Sequence, residues 1–124
     1  MGCDIHVMAE IKIDSNDEWL FFKELRVNRD YELFSKMAPI VGRGTQCAIS
    51  IASLPQDASK LSMYMLHRYA DHTYGHLNKN EIIQLIKWIK ENYPMNSFRE
   101  LIDFIEDPFE YDFFDKRIIF GFDS

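Results

Sequence analysis

Residues 3–13 carry a pattern of period two. Cys3, Ile5, Val7, Ala9, Ile11 and Ile13 alternate with Asp4, His6, Met8, Glu10 and Lys12. Side chains two apart on a strand share a face, so the spacing predicts a half-buried β-strand with Asp4 and His6 together on one side. Such a strand needs a partner and a covering layer, and the next residues supply signals for both. Asp14-Ser15-Asn16-Asp17 is a cluster of turn formers. Glu18 to Leu25, with Trp19, Leu20, Phe21 and Phe22, reads as the returning strand of a hairpin.

Helical signals fill the middle of the chain. A short helix through Leu33, Phe34 and Met37 is expected to stop at Pro39. Residues 40–54 read as a long loop, a length often tied to function. A second helix is expected to open at Pro55-Gln56-Asp57, with Asp57 as its N-cap. Asp71-His72-Thr73-Tyr74-Gly75-His76 reads as a polar junction. Asn78 with Glu81 forms a capping box for an amphipathic helix that buries Ile82, Leu85, Ile86, Ile89 and Tyr93 and stops at Pro94. Ser97 with Glu100 suggests a second box, opening a helix buried through Phe98, Leu101, Ile102 and Ile105 and broken at Asp107-Pro108. Arg117 to Asp123 reads as a closing strand. The expected architecture is α+β: about three mostly antiparallel strands, the N-terminal hairpin plus the C-terminal strand, packed against about four helices on one face.

Composition narrows the classes of function. At 124 residues, with 47% apolar and 15% aromatic side chains, the chain suits a single domain spanning 1–124 with a substantial core. The net charge of −6 and the lack of a Lys/Arg run argue against binding a nucleic-acid backbone. Two cysteines, Cys3 and Cys47, are too few for a disulfide framework and read as reduced thiols of a cytosol-like compartment. No apolar run reaches membrane-span length, and no signal-peptide pattern is expected. Met1-Gly2-Cys3 invites an acylation reading, but His6 stands where a myristoylation site has Ser or Thr.

Four constellations have chemical content. Asp4 and His6, about 7 Å apart along a strand, suit a shared metal ion or a carboxylate–imidazole acid–base pair. On spacing alone, a solvated sheet face or a histidine satisfied by a neighbour suits them better, because a two-residue match is cheap. Asp71, His72 and His76 suit zinc or another borderline metal. The local alternative makes Asp71 and His72 the end of one helix and packs His76 before the next. Gly42-Arg43-Gly44-Thr45 offers backbone N–H groups and a guanidinium to an anion, or is a plain flexible loop; it lacks P-loop spacing. In Arg29-Asp30-Tyr31, Asp30 suits a helix cap, and Arg29 an ion pair or a ligand contact. His67 has no evident partner and reads as surface or packing.

Met1-Gly2-Cys3-Asp4-Ile5-His6 resembles the opening of a family of small bacteriophage and bacterial proteins. Three further blocks resemble that family in order along the chain. They are Arg29-Asp30-Tyr31 with Leu33-Phe34, Leu54-Pro55-Gln56-Asp57-Ala58-Ser59, and Arg117 with Phe120, Phe122 and Asp123. The chain departs from the pattern at Ala52-Ser53, where the family has Arg-Gly. It departs again at Thr73 to His76, where the family has a Ser-x-Ser-Trp-like run after the histidine matched by His72. The resemblance implies a phage or prophage setting, hence the cytoplasm of a bacterial host, and no particular reaction. It groups Asp4, His6, Arg29, Asp30, Tyr31, Asp57, Ser59 and His72 as pattern positions.

These readings combine into one leading expectation. Asp4, His6 and His72 are the candidate catalytic residues. Asp4, His6, Asp71, His72 and His76 are the candidate ligands of a divalent metal such as zinc, manganese or magnesium. Arg29, Asp30, Tyr31, Arg43, Asp57 and Ser59 are the candidate contacts to a small anionic ligand, a nucleotide or phosphoester, bound and hydrolysed with a metal-held water. Two rivals stand beside it. One is a non-enzymatic anti-defence protein that sequesters a signal molecule or covers a host protein. The other is a structural or accessory domain.

Overall fold

The computed structural model describes residues 2–38, 53–107 and 112–123. The Gly42-Arg43-Gly44-Thr45 stretch, Cys47, and the stops expected at Pro39 and Pro108 lie outside these residues. Among the described residues there are four strands, β1 (Asp4–Lys12), β2 (Leu20–Leu25), β3 (His72–Asn78) and β4 (Asp115–Asp123). Four helices join them: α1 (Tyr31–Met37), α2 (Lys60–Tyr69), α3 (Lys79–Asn92) and α4 (Arg99–Glu106). The sheet is antiparallel throughout, in the order β2-β1-β4-β3. The α+β expectation holds, with one strand more than foreseen. No described helix is long and apolar enough to cross a membrane.

The extra strand is β3, expected as a polar junction. Its sequence, His72-Thr73-Tyr74-Gly75-His76-Leu77-Asn78, has too little apolar alternation to announce a strand. It forms because β4 offers an open edge, and its register slips between His72 and Gly75. Thr73 sits in that slip with φ of 54°, a conformation a β-branched residue seldom takes.

The central pair is β1 and β4, aligned from Asp4 opposite Asp123 to Lys12 opposite Asp115. Ile5, Val7, Ala9 and Ile11 of β1 join Ile118, Phe120 and Phe122 of β4 in the main core. Leu33, Phe34 and Met37 of α1, the Ile82–Ile89 stripe of α3, and Leu101 and Phe104 of α4 cover that face. The opposite face is not bare. Met8 and Ile119 pack there against Leu66 and Ala70 around α2. Helices therefore lie on both faces, not one, and Met8 and Glu10, on the expected solvent side, are both fully buried. Ile13 lies past the strand end and is exposed.

Helix starts separate the good sequence signals from the weak ones. The Asn78/Glu81 capping box of α3 is present in full. Pro94 follows the helix end, and Tyr93 is the C-cap rather than part of the buried stripe. The Ser97/Glu100 box is absent. Phe98 is the N-cap, in the left-handed region and without a side-chain bond, while Ser97 Oγ donates to the Pro94 carbonyl. Glu100 instead accepts from the Arg26 backbone N–H. Helix α2 begins at Lys60, capped by Ser59 accepting from Ser62 N–H, so Asp57 is not its cap.

Candidate functional site

The start of β1 and the end of β4 meet at one end of the sheet. Register puts Asp4 opposite Asp123 and His6 opposite Gly121, all on the α2 face. His6 and Asp123 are diagonal neighbours, and His6 Nε2 lies 2.6 Å from Asp123 Oδ2. His6 Nδ1 lies 3.8 Å from Glu24 Oε2 of β2, outside hydrogen-bond reach. One imidazole thus sits between carboxylates from the strands on either side. Its side chain is 20% exposed. The Tyr69 ring at the end of α2 stacks over it at 5.8 Å between centroids.

A glycine makes that closure possible. A Cβ at Gly121 would stand 2.7 Å from Tyr74 Cδ1 and 2.8 Å from the Ala70 methyl. Without it, the end of α2 and Tyr74 descend onto the sheet beside His6. Tyr74 donates its hydroxyl proton to the Ala70 carbonyl, which fixes the ring.

Asp4 binds Arg29, whose Nε donates to Oδ1 at 2.9 Å. That bond, reinforced by the charges of Arg29 and His6, holds the Asp4 carboxyl below the usual carboxylate range. The Arg29 guanidinium lies on Gly2, where a Cβ would collide with it. Among the described residues, the two terminal nitrogens of this half-exposed fork take no hydrogen bond. Next to Arg29, Asp30 caps α1 by accepting from Leu33 N–H, and also accepts from the Tyr93 hydroxyl. Burial and the Asp30 carboxylate push the Tyr93 hydroxyl pKa upward. Tyr31 Oη accepts from Cys3 N–H, tying the first residues of β1 to α1.

The other candidates do not join this group. His72 pairs with Phe122 in register and stacks on its ring at 6.2 Å, on the main-core face. It therefore turns away from Asp4 and His6. Its Nδ1 meets Thr73 Oγ1 at 2.8 Å, and its Nε2 lies 3.9 Å from Asp71. His76 Nδ1 donates to the Ser53 carbonyl. Asp4, His6, Asp71, His72 and His76 do not converge on a common point. Among the described residues, no three His, Cys, Asp or Glu side chains are disposed to hold a metal ion. The gathered pocket expected from spacing is thus corrected, because the register of β3 sends His72 to the opposite face.

Asp57 and Ser59 belong to a different cluster, toward the middle of the sheet. Arg117 is nearly buried and donates to the fully buried Glu10 at 2.8 Å and to Asp57 at 2.9 Å. Trp19 covers its guanidinium at 4.0 Å. Glu10 Oε2 also accepts from Ser59 N–H. The bond from Arg117 is the main cause that holds the Asp57 carboxyl below its ordinary range. Residues 53–59 thus cross three strands in turn, bonded to His76 of β3, Arg117 of β4 and Glu10 of β1. Arg43 lies outside the described residues.

Sequence reasoning missed Glu10, Glu24, Tyr69 and Asp123 as partners, and gave Arg117 no site role. Glu10 did lie in the same alternating series as Asp4 and His6. Nothing local linked His6 to Asp123, 117 residues away. Comparison with protein-family models, with curated proteins and with solved structures finds no match.

Proposed function

We propose that the protein binds a small anionic ligand at the Asp4–His6–Asp123 end of the sheet. The observation that carries this reading is a carboxylate-held imidazole, His6 on Asp123 at 2.6 Å, on the same strand face as Asp4 and its arginine. Arg29 presents an open planar fork, the geometry that grips a carboxylate or phosphate through two N–H groups. Asp4 fixes the fork without using its terminal nitrogens. Asp123 orients His6, and the free Nδ1 edge is where a proton is given or taken. The neighbouring carboxylates Asp4, Glu24 and Asp123 repel every anion and a polyphosphate most strongly, which favours a ligand that places one anionic group on Arg29. A mononucleotide or phosphomonoester is therefore the ligand class. The setting, from the sequence resemblance, is the cytoplasm of a phage-infected bacterium.

One observation favours a second reading, the covering of a host protein. Helix α2 has no acidic residue in a chain of net charge −6, and it exposes Leu61, Tyr64 and Tyr69 beside Arg68. Tyrosine and arginine are frequent anchors of protein contacts.

Thermal unfolding with inorganic phosphate and adenosine 5′-monophosphate tests the first reading. At saturation the wild-type midpoint rises by about 5 °C or more. The rise disappears in Arg29→Ala and persists in Tyr64→Ala. A midpoint unmoved by either compound overturns the anion reading. A rise lost in Tyr64→Ala and kept in Arg29→Ala relocates the contact to α2.

A further inference from the structure

A second constellation, on the other face of the same sheet end, has no part in the site above. We infer that the Thr73 hydroxyl is a nucleophile activated by His72, able to accept an acyl group from a small activated carboxylic ester.

The geometry is that of an activated hydroxyl. Thr73 Oγ1 lies 2.8 Å from His72 Nδ1, within direct proton-transfer reach. The imidazole has a carboxylate at its other nitrogen, Asp71 Oδ1 at 3.9 Å from Nε2. The tautomer with its proton on Nε2 leaves the Nδ1 lone pair for the threonine hydroxyl, while Asp71, beyond hydrogen-bond reach, acts on the ring through its charge alone. The ring is held in place by its stack on the buried Phe122. Nucleophile, base and a nearby carboxylate thus follow one another as Thr73, His72 and Asp71, with the Phe122 stack orienting the ring.

The backbone supplies an independent indication. Thr73 has φ of 54°, although a β-branched residue resists the left-handed region. Such strain concentrates where a side chain must be presented in an unusual direction. Here it coincides with the slip in the β3–β4 register between His72 and Gly75, which takes Thr73 out of the regular ladder. The backbone N–H of Asp71 is fixed on the Phe122 carbonyl, so the start of the triplet is anchored to β4. Thr73 is half-buried, open in part to solvent beside His72 at 36% exposed and Asp71 at 65%.

The step balances without a co-reactant. Thr73 Oγ1 attacks the ester carbonyl carbon as its proton passes to His72 Nδ1. The carbon–oxygen bond to the leaving alcohol breaks, and His72 returns the proton to that alcohol. The products are an acyl-threonine and the free alcohol. Asp71 stabilises the imidazolium that exists between the two transfers.

The test is covalent trapping with p-nitrophenyl acetate, read by intact mass and peptide mapping. The wild-type chain gains one acetyl group, mapped to Thr73. His72→Gln slows that labelling about 100-fold, Thr73→Ala abolishes it, and Thr73→Ser retains it. Circular dichroism of each variant confirms that the fold is kept, and Thr73→Ser covers the case in which Thr73→Ala does not fold. No adduct at Thr73, or a labelling rate unchanged in His72→Gln, overturns the inference.

Discussion

Arg117 is the side chain whose loss the fold tolerates least. It is 8% exposed and donates to a Glu10 that is fully buried, so its removal leaves a carboxylate in the interior without its partner. Breaking one side of a buried pair costs about 3–5 kcal/mol. Arg117→Met is expected to lose that amount in urea unfolding. Adding Glu10→Gln restores at least about 1 kcal/mol, because a neutral amide replaces the stranded charge and still accepts from Ser59 N–H. A loss below about 1 kcal/mol in the single variant would show that the pair is not buried as described. Asp57 differs, since its side chain is 67% exposed and its bond to Arg117 is screened by water. Its own contribution is no more than about 1 kcal/mol. The same contrast holds at the other end of the sheet. The Asp4–Arg29 pair is half exposed on both sides and lends little to stability, so its geometry suits presenting a guanidinium better than holding strands together.

At the scale of elements, the site depends on how closely α2 approaches the sheet. Gly121 sets that distance, because any side chain there meets Tyr74 and Ala70 below 3 Å. Gly121→Ala is expected to lower stability by about 1–3 kcal/mol through overpacking. It should also lift Tyr69 off the His6 ring, which the ring-current shift of the His6 protons reports. Unchanged stability with an unchanged His6 signal would show that α2 has room to spare. A second device fixes the other end of α2. Ser59 caps the helix while its own N–H is held by Glu10, so the capped helix start is tied to β1. The pairing of β3 with β4 completes the arrangement. It faces His76 toward α2 and His72 toward the main core, which divides the histidines between two chemical environments.

Across the whole molecule, the sequence was most legible where one element follows a short-range rule. The alternation in β1, the hairpin and the Asn78/Glu81 box follow short-range rules and are present, and the closing strand is present too, announced by its own apolar run although it pairs with β1 at the other end of the chain. Legibility failed where a distant partner decides. β3 has no alternation of its own and is a strand because β4 pairs with it. Met8 and Glu10 looked solvated because nothing near them announces that α2 will cover that face. Asp4 and His6 share one strand face as the alternation predicts, but neither the His72 cluster nor the family-like pattern carries information about the face on which His72 lies. The register sends it to the other side. Asp123, the closest partner of His6, was visible only as the end of a strand. The central claim is therefore narrower than spacing suggested: one carboxylate-held imidazole beside one open arginine. Long-range ¹H–¹⁵N spectra of the four histidines, recorded during titration with adenosine 5′-monophosphate, test it most directly. The account predicts that the His6 ring nitrogens shift saturably while those of His67, His72 and His76 stay in place, and that Arg29→Ala removes the shift. A His6 signal that does not move, or a saturable shift confined to another histidine, would contradict it.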